Sequence, residues 1–290
     1  MSKKYDIIFL CLAQNVDKTI QNLFNFNNQI KKENISSLVI IGENGSNDET
    51  VSIINSFAKN NPDIILVKTD HIDAYKDRII RLTHGRNYLK NYVLINKIYS
   101  TYISIIDVDN VINIEPNVLD FKNILHTLIS NKNELFGISA KSKPYYYDML
   151  NLYIEDFYEK DVLTIQSGKN IFNSYILRKK NIYDFQLKIT DINKDIRVVS
   201  AHNGFCVYLY DDYMLGNYID IHNIEKVNDK IIPEHIIINK SIHKKTSKHM
   251  LISNDFFVQT PLEHMPYFNF STFIKNKIKH LFSKLIFNKW

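Results

Sequence analysis

Glycine is scarce in this chain, with 7 among 290 residues. The stretch after the first apolar run, "CLAQNVDK" (11–18), has none. That argues against a nucleotidyltransferase built around a glycine-rich phosphate loop after its first strand. Cysteine is limited to Cys11 and Cys206, both inside apolar runs. They read as buried free thiols, imply no disulfide framework and fit a reducing compartment. No apolar stretch reaches the length of a transmembrane helix. No Pro/Gly/Ser tract marks a linker and no internal repeat is visible. Arginine occurs only at Arg78, Arg81, Arg86, Arg178 and Arg197.

What remains is ordinary for a globular protein: 45% hydrophobic and 23% charged residues, enough to build a sizeable core. The net charge of +5 is too small to argue for nucleic acid. The enrichment in Ile, Asn and Lys reads as A/T-rich codon bias. Against that lysine background, three of the five arginines within 78–86 suggest a need for the planar guanidinium fork; a solvated helix face is the plain alternative. The start "MSKKYDIIFLCLAQN" reads as a first strand. Its apolar run is short and Asp6 interrupts the approach, unlike a signal peptide.

Strand and helix patterns then alternate. Strands are predicted at 5–13, 36–42, 63–69 and 101–107, and helices at 17–33, 46–60 and 75–95. This order predicts an α/β fold with a mainly parallel sheet and helices on both faces. The second half is less regular. It offers strands at 134–140, 197–210 and 254–260 and a helix at 233–245. Residues 145–160, rich in Tyr and acids, suit either a carbohydrate acceptor or an amphipathic helix packed on the sheet, the second being favoured; Asp148, Glu155 and Asp156 are assigned no role.

Ligands of such sheets bind beyond the carboxyl ends of the strands. Gln14–Asn15, Glu43–Asn44 and the pair Asp107 and Asp109 fall at those ends. Two aspartates after the apolar run "SIIDVDN" would be costly there without compensation. A hard divalent cation, Mg²⁺ or Mn²⁺, would supply it, taking its other ligands from water and phosphates. "IIGENGSNDET" (40–50) sets Glu43 and Asp48 between a strand and a helix, where a carboxylate can accept from a base or ribose; a helix cap by Ser46 or Asn47 needs no ligand. Arg86, after Gly85, suits a phosphate.

In this order the stretches "ENGSNDET", Arg86–Asn87 and "DVDN" make the chain resemble a GT-A glycosyltransferase of the family-2 type over roughly residues 5–112. That family's strand-2 loop resembles "DDGSxDxT"; Glu43 stands where Asp is usual. The resemblance implies a GT-A fold: a Rossmann-like nucleotide-binding half with a mixed, mainly parallel sheet, here 1–112, and an acceptor half, 113–267. It implies that Glu43, Asp48, Arg86 and Asp107 bind the donor, and that Asp107 and Asp109 hold the metal. More loosely, "SAHNGFCVYLY" (200–210) is similar to the segment that approaches the donor sugar, with Asn203–Gly204 replacing Gly–Gly. "PEHIIINKSIHKK" (233–245) is similar to the late acidic motif, with His235 in place of its second acid and Glu234 as the candidate catalytic base. "FFVQTPLEHM" (256–265) is similar to the family's late strand followed by a metal-binding His, with His264 as the candidate third ligand and His235 and His249 competing for that place.

The tail, 268–290, carries Ile274, Ile278, Leu281, Phe282 and Leu285 at helical spacing with Lys275, Lys277, Lys279 and Lys284 off that stripe and Trp290 at the end. It reads as an amphipathic basic helix for a membrane surface, or as a helix packed on the domain or on a partner subunit. The expectation is a cytoplasmic enzyme, peripheral on the inner face of a membrane. It would move a sugar from a UDP- or GDP-sugar, with Mn²⁺ or Mg²⁺, to a glycan or lipid-linked acceptor in surface polysaccharide or glycoconjugate synthesis. Two alternatives stand beside it: a non-catalytic nucleotide- or carbohydrate-binding module, and an aspartate-based phosphohydrolase. Against the second, that motif usually lies on a first strand and continues with Thr or Val, where this chain has a fourth strand and Asn110.

Overall fold

The computed structural model describes residues 4–155, 170–218, 226–227, 230–267, 269–275 and 277–278. Its first half follows the predicted alternation. β1 (Lys4–Ala13), β2 (Ser37–Glu43), β3 (Ile64–Lys68) and β4 (Tyr99–Asp107) are separated by α1 (Ile20–Lys32), α2 (Thr50–Asn60) and α3 (Arg78–Ile95). β1 pairs in parallel with both β2 and β4, and β2 with β3. The strands are nearly continuous apolar runs because both sheet faces are covered, one by a cluster around Ile8, Leu10, Ile40 and Leu89, the other around Phe9, Phe24, Val39 and Phe121.

The second half extends the same sheet. α4 (Val118–Ser130) leads to β5 (Leu135–Lys143); α5 (Ile171–Arg178) and α6 (Asp184–Asp191) precede β6 (Ile196–Val198), β7 (Phe205–Leu209) and α7 (Tyr210–Leu215). Two short strands, β8 (Lys226–Val227) and β9 (Lys230–Ile231), form a separate pair before α8 (Glu234–Thr246) and β10 (His249–Gln259). The eight-stranded order is β3-β2-β1-β4-β7-β5-β10-β6. β7 runs antiparallel to β4 and β5, and β6 antiparallel to β10, so the sheet is mixed and mainly parallel as expected.

Two local expectations are corrected. The single strand expected over 197–210 is split. Asn203 at φ 51° and Gly204 at φ 75° turn the chain between β6 and β7, and Tyr210 already starts α7. The helix favoured for 145–160 does not form over 145–155. There the Asp148 carboxylate draws in Asn151 N–H at 3.3 Å and Asn203 N–H at 2.9 Å, and Tyr153 bridges to Ser200. Residues 156–160 lie outside the described residues. Helical turns occupy 270–275, with Phe273 buried; Leu281, Phe282, Leu285 and Trp290 of the predicted tail helix lie outside the described residues. No helix among the described residues is long and apolar enough to cross a membrane.

Candidate active site

The parallel register brings the predicted positions to one edge of the sheet. Ala13 pairs with Glu43, Glu43 with Lys68, and Leu12 with Asp107, so the ends of β1, β2, β3 and β4 lie side by side. α3 lies tightly under this edge. A Cβ at Gly85 would stand 2.9 Å from the terminal methyls of Leu12, so glycine lets α3 lie close to β1 without displacing that side chain.

Arg86 is the hub. Its Nη2 donates to Asp107 Oδ1 at 2.7 Å and its Nε to Glu234 Oε1 at 3.3 Å, from a position only 4% exposed. Asp107 Oδ2 faces His202 Nε2 at 3.2 Å. His202 in turn stacks on His235, ring centroids 3.6 Å apart. Burial opposes charge on all of these groups. For His202 the Asp107 carboxylate outweighs it and pushes the imidazole up to about 10. For Asp107, His202 and Arg86 outweigh it and hold the carboxyl far below the ordinary range. For His235, burial and the charges of His202 and Arg86 outweigh the Asp107 carboxylate and hold the imidazole well below its ordinary value. Two cations and two carboxylates thus neutralise one another in a buried cluster, the condition under which buried charge is tolerated.

Asp109 lies two residues further, in the turn after β4. Its Oδ1 accepts from Val111 N–H at 3.0 Å. Partial burial, then the Asp107 carboxylate, then Glu263 push it up to about 6. Glu263 reaches the same loop, 3.5 Å from Asn110 Nδ2. His264, beside it, is exposed and stacks on Tyr147 at 5.2 Å. Among the described residues no three His, Cys, Asp or Glu side chains converge as a ready metal cage. Asp107, Asp109 and His264 are therefore not preassembled as the expected ligand trio. Both Asp107 oxygens are taken by Arg86 and His202, and the exposed His264 ring stacks on Tyr147. Crowded carboxylates at Asp109 still fit a cation of the Mg²⁺ or Mn²⁺ kind, which keeps several waters and needs only one or two protein carboxylates.

Glu43 and Asp48 are built into the loop itself. Glu43 is fully buried, accepts from Ser46 N–H at 2.5 Å and pairs with Lys68, which together hold its carboxyl below the ordinary range against the cost of burial. Asp48 accepts from Thr50 N–H at 3.0 Å and Asp17 N–H at 3.3 Å, tying the loops after β1 and β2 together. The outward group at this strand end is Lys68, 56% exposed. Asn203 is buried, with its N–H on Asp148 and its side-chain amide on Ala140 O, while Gly204 O accepts from Asp107 N–H at 2.8 Å. A Cβ on Gly204 would lie 2.6 Å from the Tyr147 hydroxyl and from Val111.

The sequence reading missed His202, Lys68 and Tyr147. His202 had a local signal, standing directly before Asn203–Gly204. Lys68 and Tyr147 reach the site through strand register and a loop, which no short motif reports.

No known protein-family profile matches the chain, and no curated protein sequence does. Solved structures do. TarS residues 1–349 of S. aureus is 11% identical, with 88% of this chain and 60% of that one covered at a TM-score of 0.46. The mannosyltransferase PcManGT from Pyrobaculum calidifontis, in complex with GDP-Man and Mn²⁺, is 11% identical over 96% of this chain and 62% of that one, at a TM-score of 0.45. Glucosyl-3-phosphoglycerate synthase from Mycobacterium tuberculosis, in complex with Mn²⁺, UDP and phosphoglyceric acid, is 11% identical over 72% and 57%, at a TM-score of 0.38. The chain spans about three fifths of the length of these proteins.

Proposed function

We propose that the chain is a GT-A-type glycosyltransferase that uses a divalent cation to move a sugar from a nucleoside-diphosphate sugar to a hydroxyl acceptor. The observation that supports this most is the placement of Arg86, Asp107 and Asp109 at the carboxyl edge of a parallel β3-β2-β1-β4 sheet, with Glu234 against the same guanidinium. This is where nucleotides bind in open α/β sheets.

In this reading Asp109, with Asp107 beside it, would hold Mn²⁺ or Mg²⁺, whose charge would offset that of a leaving diphosphate. Arg86 orients the donor phosphates and keeps Asp107 ionised. Lys68 meets the nucleotide from the β3 end, and Glu43 and Asp48 act by shaping its loop. Asn203–Gly204 brings the backbone close to the transferred sugar. Tyr147 and His264 present a stacked pair at the acceptor side, suited to a sugar ring. Glu234 is the group proposed to take the acceptor proton. The acceptor oxygen bonds to the anomeric carbon, and the bond to the diphosphate oxygen breaks with its electrons. A glycan or lipid-linked acceptor in surface glycoconjugate synthesis, on the cytoplasmic face of a membrane, suits the basic tail.

Calorimetric titration with UDP, GDP, CMP and dTDP, each with and without Mn²⁺, tests the reading. One nucleotide binding tightly only with metal is the expected result. Metal-independent binding would reduce Asp109 to a ribose contact, and no binding would overturn the assignment. Binding without turnover over a panel of sugar donors would leave a non-catalytic module.

A further inference from the structure

α5 is an unusual helix for its position. Asn170 caps it, its side chain accepting from Asn173 N–H at 2.8 Å, yet Tyr175 is its only buried residue. Ile171, Phe172, Ile176 and Leu177 are 49%, 51%, 44% and 39% exposed. Four large apolar side chains on one short helix are more than a soluble surface scatters singly. The helical segment at 270–275 packs beside it: Phe172 meets Phe270 with centroids 5.1 Å apart, and Tyr175 meets Phe273 at 5.3 Å.

The charge on the two segments that form this patch is mainly positive. In sequence, 171–183 and 265–290 together hold eight Lys and Arg and no Asp or Glu; Arg178, Lys179, Lys180, Lys275 and Lys277 of these are among the described residues, and Lys179 pairs with Asp184 of α6 at 3.2 Å. The chain as a whole has 36 basic and 31 acidic residues, so the rest of it carries more acid than base. Lys180 and Lys275 are exposed beside the apolar side chains. The patch also adjoins the acceptor side of the crevice. Tyr183 packs on Tyr267 at 5.7 Å, and Gln186 on α6 donates to the backbone carbonyls of Tyr147 at 3.4 Å and His264 at 3.3 Å.

We propose that α5 and the adjoining segment at 270–275 form a docking surface for an anionic lipid membrane. The apolar side chains enter the acyl boundary while the lysines meet lipid phosphates, the arrangement of an interfacial helix. Segregated positive charge favours an anionic bilayer over a second copy of this chain, whose matching patch would repel it. The inference rests on the glycosyl-transfer reading only for what the membrane would present, a lipid-linked acceptor at the Tyr147–His264 side; docking itself is read independently.

The test is flotation of the full chain with phosphatidylcholine vesicles containing phosphatidylglycerol, against pure phosphatidylcholine. Binding only to the anionic vesicles, weakening with salt, is expected. Phe172→Ser with Ile176→Ser should lower it at least tenfold, with the circular-dichroism melting curve and nucleotide affinity unchanged. Lys180→Glu with Lys275→Glu alters exposed side chains only and serves if the first variant misfolds; at about fivefold for each cation removed, its loss should exceed twentyfold. Equal binding to neutral vesicles, or anionic binding unaffected by the charge-reversal variant, overturns the proposal. So does self-association in sedimentation that Phe172→Ser abolishes, which would make the patch a contact between copies. Lost flotation with intact nucleotide binding sinks the docking surface alone; lost nucleotide binding with intact flotation sinks the transferase reading alone.

Discussion

Arg86 Nε lies 3.3 Å from Glu234 Oε1, although 148 residues separate the two in the chain. One guanidinium therefore ties the candidate base to Asp107, which it meets with Nη2 at 2.7 Å. The pair gives Glu234 two separable duties, accepting a proton and anchoring Arg86. Glu234→Gln keeps an oxygen for the Arg86 bond and removes the base. Turnover should fall about 10²- to 10⁴-fold while nucleotide affinity changes less than about threefold. Parallel loss of affinity and turnover, read from calorimetry and initial rates, would make Glu234 an anchor only.

Arg86 itself should be intolerant of change. Its neighbours Asp107 and Glu234 are both acidic, and Glu234 is almost fully enclosed. Arg86→Met leaves them without their shared cation, and breaking a buried pair from one side costs about 3–5 kcal/mol. Arg86→Lys keeps the charge but cannot reach two carboxylates with a rigid fork. Urea unfolding should show a clear loss for Met and a smaller one for Lys, and both variants should bind the nucleotide at least tenfold more weakly.

Asp109 should behave in the opposite way. It lies at the surface end of the site, its partly buried carboxylate is crowded by Asp107 and Glu263, and that carboxylate accepts from Val111 N–H. Asp109→Asn keeps an acceptor for that N–H and removes a like charge. Thermal stability is expected to stay level or rise, while the Mn²⁺-dependent increment in nucleotide binding disappears. An unchanged Mn²⁺ increment would take Asp109 out of the cation site.

These contrasts show where sequence was informative. The βα alternation through Asp107 was legible because long apolar runs and helical periodicity are local signals. The order of "ENGSNDET", Arg86–Asn87 and "DVDN" along those units located the strand ends. What stayed hidden was non-local. The partner of Glu43 is Lys68, set by β2–β3 register, and the partner of Asp107 is His202, set by an antiparallel return through Gly204. The break in 197–210 was missed because Val198 and Val199 before it and Phe205, Cys206, Val207 and Tyr208 after it favour strand, while the left-handed Asn203–Gly204 turn between them carries the contrary signal.

That turn carries its own test. Gly204 sits at φ 75°, and a Cβ there would come within 2.6 Å of both the Tyr147 hydroxyl and Val111. Gly204→Ala must therefore strain the backbone and push Tyr147 or the loop after Asp109 aside. A stability loss of roughly 1–3 kcal/mol is expected from a non-glycine residue in that conformation. Turnover should fall further than stability explains, because Gly204 O also holds Asp107 N–H. Tyr147→Phe in the same background should restore part of the stability by removing one clash, and a double-mutant cycle measures that coupling.

Lys90 contributes a pH dependence that one substitution can isolate. It follows Arg86 by one turn on α3, is buried, and donates its Nζ to Gly216 O at the end of α7. Burial, with Lys245 adding, lowers it from the ordinary 10.5 to about 8. In the unfolded chain the amine holds its proton to the higher value, so between about 8 and 10.5 the unfolded state binds more protons. Stability from this group must then rise with pH across that window, and below it the folded chain carries the cost of a buried charge. Lys90→Met removes the term. His202, held up to about 10 by Asp107, loses stability over the same range, so the change in urea midpoint from pH 7.5 to pH 9.5 should be more positive in the parent than in the variant, whatever its net sign. The variant also leaves Gly216 O without its donor, at about 1–3 kcal/mol, so near neutrality the two effects oppose each other and the slope with pH is the discriminating quantity. A parent slope that survives in Lys90→Met would assign the titration to another group.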